Sequence, residues 1–289
     1  MQVNMDTPIF SPSTCSELFA RWDEHPEAQL IAGGTDLLVR LKDSLAWPVL
    51  IDISRLKELQ GISVDNGTIS IGALSTYSIM LHNAALQKNG GVLLQAAEMV
   101  GSPQIRNRGT IGGNIANGSP AGDTIPPLYV LEASVTVMSN EGTRNIPVDD
   151  FFTGPGETVL GQHEIIVSID IPVQENHTDI FLRLGQRAAM AISKVSLAMS
   201  ARVSNDKTED IRIALGAVAP TVIRAEKTEK TLRGESLTEE ILRSACNTIE
   251  HEAVPISDIR SDADYRRRMC GVLLRWGLQA VGTCEGAKV

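Results

Sequence analysis

Gly101-Ser-Pro-Gln-Ile-Arg-Asn-Arg-Gly-Thr-Ile-Gly-Gly-Asn-Ile-Ala-Asn-Gly-Ser-Pro-Ala-Gly-Asp123 carries six glycines, at 101, 109, 112, 113, 118 and 122, of the 24 in a chain of 289 residues. Small hydrogen-bonding residues fill the spaces between them: Asn107, Thr110, Asn114, Asn117 and Ser119. Charge is light, and Ile105, Ile111 and Ile115 are spread through the segment as anchors to a core, which argues against a flexible linker or disorder. A loop longer than about 12 residues without its own secondary structure is uncommon unless it is functional or disordered. Glycine lets a ligand come within hydrogen-bond distance of main-chain N–H groups. The stretch therefore predicts a tight wall around a ligand, ahead of a long surface loop that binds nothing.

A second stretch lies upstream. The apolar strand Gln29-Leu-Ile-Ala32 runs into Gly33-Gly34-Thr35-Asp36 and then into a helical run, Leu37–Leu41. Free N–H groups at a helix start, with the positive end of its dipole, suit an anion. Taken alone, the same residues serve equally as a plain strand-to-helix turn with Thr35 or Asp36 as N-cap. Neither GxGxxG after a strand nor GxxxxGK[ST] occurs here, so a Rossmann or P-loop assignment has no support.

Bulk properties narrow the classes. The length suits two domains or one large one. With 43% hydrophobic, 21% charged and only 4% aromatic residues, the core must be built from Ile, Leu, Val and Ala. A net charge of −9 argues against nucleic acid or an anionic membrane as partner. No apolar run is long enough to span a membrane, and residues 1–10 lack the basic and apolar regions of a signal peptide, so a cytoplasmic location is expected. Cysteines 15, 246, 270 and 284 and histidines 25, 82, 163, 177 and 251 are scattered, which predicts neither a metal site nor a disulfide framework in this chain.

In chain order, Leu18, Phe19 and Trp22 predict a helix starting near Ser11–Ser13. Val49–Ile53 reads as a buried strand, and Ile62–Ile71 as a hairpin turning at Asn66-Gly67. Ser75 is expected to cap a helix to about Leu81, and a second helix covers Val92–Val100. Pro126-Pro127 opens another, Leu128–Leu131. Ser134–Met138 and Thr143–Pro147 form a hairpin, and Glu164–Ile171 a strong strand ended by Pro172. The polar segment Gln174–Asp179 marks an expected domain boundary. Beyond it come antiparallel strands at Phe181–Leu184, Val195–Val203 and Ile211–Val218, then helices at Arg224–Arg233, Thr238–His251 and Asp262–Val281. Arg266-Arg267-Arg268 on the last helix reads as a solvated face.

Two small, polar, backbone-rich turns suit an extended ligand bearing a pyrophosphate. Near neither turn is there an activated nucleophile or a general acid–base pair, so the chemistry falls to a bound cofactor rather than to side chains. Three motifs, Ile31-Ala-Gly-Gly-Thr-Asp-Leu-Leu38, Gly101-Ser-Pro-Gln-Ile-Arg-Asn107 and Gly109-Thr-Ile-Gly-Gly-Asn-Ile115, resemble the flavin-binding medium subunit of the molybdenum hydroxylases. That group includes xanthine dehydrogenase, carbon monoxide dehydrogenase and nicotinate dehydrogenase. The resemblance continues through Ser119–Asp123, Phe151–Gly156, Glu164–Ile166, Arg187–Ser193, Gly216–Thr221 and Tyr265–Arg267, covering nearly the whole chain in order.

The resemblance implies an α+β fold: an FAD-binding domain of the vanillyl-alcohol-oxidase (PCMH) type over 1–175, with subdomains of about 1–58 and 59–175. A small C-terminal α+β domain of the CO dehydrogenase flavoprotein type would occupy 176–289. By matching positions, Leu30, Ile31, Ala32, Gly33, Gly34, Thr35 and Asp36 would wrap the FAD pyrophosphate. Gly109, Thr110, Ile111, Gly112, Gly113 and Asn114, with Val100, would line the second wall. Asp123 would bind polar FAD atoms, Ile165 would contact FAD through its backbone, and Arg183 would stand near the flavin. Arg183 replaces a lysine common in relatives, keeping the charge but changing its shape. Ala191 replaces an aspartate found in several.

The implied activity is electron transfer. Substrate, with xanthine or a related purine as first expectation, is hydroxylated at molybdopterin on a large partner subunit. Electrons then pass through the iron–sulfur clusters of a ferredoxin-like 2Fe–2S small subunit to FAD here, and on to NAD or another acceptor. The alternatives are a self-contained flavin oxidoreductase of the same fold, which would turn over without partners, and a non-catalytic scaffold, which would hold no flavin.

Overall fold

The computed structural model describes residues 8–42, 47–187, 190–204 and 207–284. Residues 1–7, part of the signal-peptide reading, and 188–189, inside the Arg187–Ser193 motif, lie outside that set.

The N-terminal unit is a small parallel sheet of β1 (Ile9–Phe10), β2 (Gln29–Ile31) and β3 (Leu50–Asp52), in the order β1-β3-β2. Helix α1 (Cys15–Glu24) begins where Thr14 accepts a hydrogen bond from the Glu17 amide. Its Leu18, Phe19 and Trp22 enter a core with Ile51, Leu56, Leu59 and Leu74, as their spacing predicts. The short helix α2 (Leu37–Leu41) follows the double-glycine turn.

The second unit is a five-stranded antiparallel sheet flanked by helices. Strands β4 (Ile62–Asp65) and β5 (Thr68–Gly72) turn at Asn66-Gly67, where both φ angles are positive, 47° and 76°. Helix α3 (Tyr77–Leu81) is capped by Thr76 rather than Ser75. Ser75 is buried and donates instead to the Gly61 carbonyl. Helix α4 (Ala84–Asn89), absent from the sequence reading, starts at Asn83, whose side chain accepts from two amides. Helix α5 (Gly91–Glu98) has no side-chain cap of its own; Asp179, distant in sequence, accepts from the Val92 amide at 3.1 Å.

The glycine-rich stretch is not one continuous loop. It holds α6 (Pro103–Arg106), capped by Ser102, and α7 (Ile111–Asn117), capped by Thr110 and ended by left-handed Gly118. Ser-Pro and Thr-x-x-Gly are cap chemistry that the density of glycine obscured. Helix α8 (Ile125–Val130) takes its two prolines in the first turn, as prolines favour.

Strands β6 (Ser134–Ser139) and β7 (Gly142–Pro147), a small β8–β9 pair (Phe152–Gly154, Glu157–Thr158) and β10 (Ile165–Pro172) follow. The sheet order is β4-β5-β10-β6-β7. One face buries Ile69, Ile71, Val135, Val137, Ile169 and Ile171 under the helices. On the central strands Asp170 accepts from Ser70 at 2.6 Å and from Thr136 at 2.7 Å, joining three strands.

The last unit is the antiparallel sheet β11 (Thr178–Leu184), β12 (Val195–Ser204), β13 (Lys207–Gly216) and β14 (Ile223–Arg224). The expected connection across Ser204–Glu209 includes residues 205–206, outside the described set. Ala198 and Ala214 face the first core, whereas Leu197, Met199, Ile211 and Ile213 face a second one under α9 (Glu226–Leu232), α10 (Glu239–Glu252) and α11 (Ala263–Cys284). Burial on both faces explains why these strands read as continuous apolar runs. Arg266 corrects the expectation of a solvated arginine face: it is 2% exposed and donates to the Ala217 carbonyl and to Asp258. Among the described residues no helix is long and apolar enough to cross a membrane.

Candidate functional site

The site starts from the strand β2, which carries the chain into Gly33-Gly34. Gly34 has φ +74°, and a Cβ on Gly33 would run into the carbonyl oxygen of Arg108 and lie 3.2 Å from the Gly109 Cα. The two glycine turns, far apart in sequence, are thus packed backbone on backbone. Among the described residues no protein acceptor takes the amides of Gly33, Gly34 and Thr35. Asp36 occupies the N-cap position of α2 without a capping hydrogen bond, so the plain-turn alternative with a side-chain cap at Thr35 or Asp36 does not hold. All three residues line a cavity.

The second wall hangs on the β5–α3 connection. Gly109 accepts from the Tyr77 amide, Ile111 donates to the Ser75 carbonyl, and Gly112 donates to the Ala73 carbonyl at 2.9 Å. A Cβ on Gly112 would sit 2.6 Å from that of Ala73, so only glycine permits this approach. Gly113 differs: its added Cβ would meet only the Thr110 hydroxyl within 4 Å. That hydroxyl caps α7 by accepting from the Gly113 amide. Asn114 is oriented by the Thr124 hydroxyl at 2.7 Å.

The third wall is made of side chains. Arg183 on β11 donates through Nη1 to Asp123 Oδ2 at 2.6 Å and to the Ala191 carbonyl at 3.2 Å. Ser193, fully buried, donates to Asp123 Oδ1 at 2.6 Å. Burial pushes the Asp123 carboxyl above its ordinary value, while the Ser193 hydrogen bond and the Arg183 charge pull it back. Arg183 Nη2 is buried and has no hydrogen-bond partner among the described residues. Tyr77, beneath Gly109, is buried too, and burial pushes its hydroxyl up.

The three walls enclose a cavity of about 590 Å³. Leu30, Ile31, Ala32, Gly33, Gly34, Thr35, Asp36, Val100, Gly109, Thr110, Gly112, Gly113, Asn114, Asp123, Ile165 and Arg183 all line it. Ile111 alone of the sequence-derived residues does not: its side chain is fully buried in the core behind the wall and its amide is taken by Ser75. Sequence reasoning missed Tyr77, Ile105 and Ile192, which also line the cavity, and Ser193, which stands behind Asp123. Ile105 and Ser193 lay inside quoted motifs and carried that much signal; Tyr77 reads as an ordinary helical core residue.

Such a cavity, with unpaired main-chain amides along one wall, close-packed glycine backbone along the second and an arginine in the third, suits an extended anionic ligand. Residues 3–174 match the FAD binding domain in molybdopterin dehydrogenase, and residues 181–281 the CO dehydrogenase flavoprotein C-terminal domain. The chain belongs to the FAD-binding subunits of the molybdenum hydroxylase family, and FAD is its cofactor. It is 35% identical to the carbon monoxide dehydrogenase medium chain of Hydrogenophaga pseudoflava, covering 88% of this chain and 89% of that one. It is 30% identical to the xanthine dehydrogenase FAD-binding subunit of Escherichia coli O157:H7, over 92% of each. The solved carbon monoxide dehydrogenase of Hydrogenophaga pseudoflava superposes with a TM-score of 0.90 at 34% identity, over 95% of this chain and 96% of that one.

Proposed function

We propose that the cavity is the FAD site and that this chain relays electrons as one subunit of a three-part molybdenum hydroxylase. In this reading a large subunit holds molybdopterin and a small ferredoxin-like subunit holds the 2Fe–2S clusters. NAD is the proposed final acceptor, and xanthine or a related purine the substrate of the large subunit, in line with the Escherichia coli relative. We further propose a flavin-binding portion over 1–175, divided near residue 59, and a C-terminal portion over 176–289.

The observation that carries the reading is the contact of the two glycine turns, which leaves amides without protein acceptors among the described residues on one side of a cavity that Arg183 lines on another. This donor set fits FAD, whose pyrophosphate needs N–H donors and whose ring system needs an enclosed apolar surface. When bound, FAD supplies a group able to take electrons singly and release them as a pair. Gly33, Gly34 and Thr35 would hold the pyrophosphate by main-chain donors, which keep their direction without ordering a side chain. Gly109, Gly112 and Gly113 would leave the opposite wall flat. Leu30, Ile31 and Ile165 would exclude water, and Arg183 would set a positive charge against the cofactor.

The test is to express the full chain alone and with a molybdopterin subunit and a ferredoxin-like subunit, then measure bound flavin and acceptor reduction. One FAD per chain is expected in both preparations, with substrate-dependent NAD reduction only in the complex. A protein left colourless after incubation with FAD and removal of the unbound excess would refute the cofactor site; turnover by the chain alone would refute dependence on partners.

A further inference from the structure

Asp123, whose motif position implies a contact with polar FAD atoms, accepts a short hydrogen bond at each carboxylate oxygen, one from Arg183 and one from Ser193. We propose that Ser193 is a positioning residue: through Asp123 it fixes the guanidinium of Arg183, and with it the positive charge in the cavity wall beside bound FAD. The inference rests on the cavity being the FAD site.

The three side chains come from three stretches: Asp123 from the segment before α8, Arg183 from β11, and Ser193 from the segment leading into β12. Nη1 of Arg183 is used twice over, by Asp123 and by the Ala191 carbonyl, whereas Nη2 is buried with no acceptor among the described residues. A buried N–H without a partner is costly, and native proteins leave few. Arg183 lines the cavity, so the direction of its guanidinium sets the charge that a ligand there meets. A free arginine side chain has many rotamers, and a carboxylate held at one oxygen can still swing about its last torsion. The second hydrogen bond, from fully buried Ser193 to Oδ1, fixes the plane of the carboxylate and with it the direction of the guanidinium. Without that hydroxyl, Oδ1 would be buried and unsatisfied, and the carboxylate would be free to turn and take the guanidinium with it.

A double-mutant cycle tests this in the full chain. FAD dissociation constants are measured by flavin fluorescence for wild type, Ser193→Ala, Arg183→Met and the double variant, alongside the melting midpoint of each apo protein. Loss of one hydrogen bond to a charged group predicts about tenfold weaker FAD binding for Ser193→Ala. In the Arg183→Met background the same change should have almost no further effect, because Ser193 acts through Arg183. If the two losses multiply, or if Ser193→Ala binds FAD as wild type does, the positioning role is overturned. Should Ser193→Ala fail to fold, Ser193→Cys keeps the volume, replaces a strong donor with a weak one, and reads the same cycle. Wild type that takes up no FAD would instead remove the cofactor site itself, an outcome distinct from multiplicative losses in a protein that binds it.

Discussion

The walls of the cavity are built on opposite principles. The Gly33–Asp36 and Gly109–Asn114 turns present main chain, and their geometry is secured by what is missing, a Cβ at Gly33 and at Gly112. The Asp123–Arg183–Ser193 wall presents side chains, and its geometry is secured by charge and by short hydrogen bonds. Main-chain donors are rigid from the start and indifferent to pH. The side-chain wall costs desolvation and rotamer entropy, and in return sets a charge that can be tuned by a proton.

The largest effect that would break this contrast lies at Gly33. Gly33→Val would drive a branched side chain into the Arg108 carbonyl and separate the two turns. Overpacking of this kind costs about 1–3 kcal/mol or more. FAD should be lost altogether and the apo protein should melt several degrees lower by calorimetry; normal FAD content would show that the turns do not need their contact.

Gly113→Val sharpens the same wall. Its added Cβ faces only the Thr110 hydroxyl, so the fold should lose no more than the cap, about 1 kcal/mol. The branched side chain would nonetheless fill space on the cavity side, and FAD affinity should fall at least about a hundredfold with the apo melting point nearly unchanged. Retention of one FAD per chain would place the cofactor elsewhere.

The side-chain wall gives the smallest and most specific effect. The carboxyl of Asp123 is raised in the folded state, so the native protein binds its proton more readily than the unfolded chain does. Stability from this group is therefore greatest at low pH and declines as pH rises from the ordinary value of 3.8 through the folded value. Asp123→Asn, measured against wild type by denaturant unfolding across that window, should remove this downward slope. An unchanged pH difference would mean that the Arg183 charge fully offsets burial.

These walls also differed in how legible they were. Gly33-Gly34 and Gly112-Gly113 announced themselves in the sequence, because a main-chain site is encoded locally by residues that lack side chains. That Ile111 turns away from the cavity, although its neighbours on both sides line it, follows from helical periodicity within α7, which was hidden while the stretch read as a loop. Thr76 displaced Ser75 as the cap of α3 because Ser75 is committed to Gly61 across the turn, a contact no local rule anticipates. Arg266 misled for the same reason: an arginine run looks solvated until Asp258 and the Ala217 carbonyl arrive to bury one member.

What the sequence determined by itself is the two glycine turns, most of the strands and longer helices around them, and the family. Periodicity, turns and glycine placement are properties of neighbouring residues, and they act whatever the rest of the chain does. What only tertiary structure decided is which distant groups meet: that Gly33 packs on the Arg108 carbonyl, that Asp179 caps a helix distant in sequence, and that Asp123 pairs with Arg183 and Ser193. Those pairings depend on strands and loops far apart in sequence being packed together, and the energy that selects them, burial of charge against its partner, exists only once the core has closed.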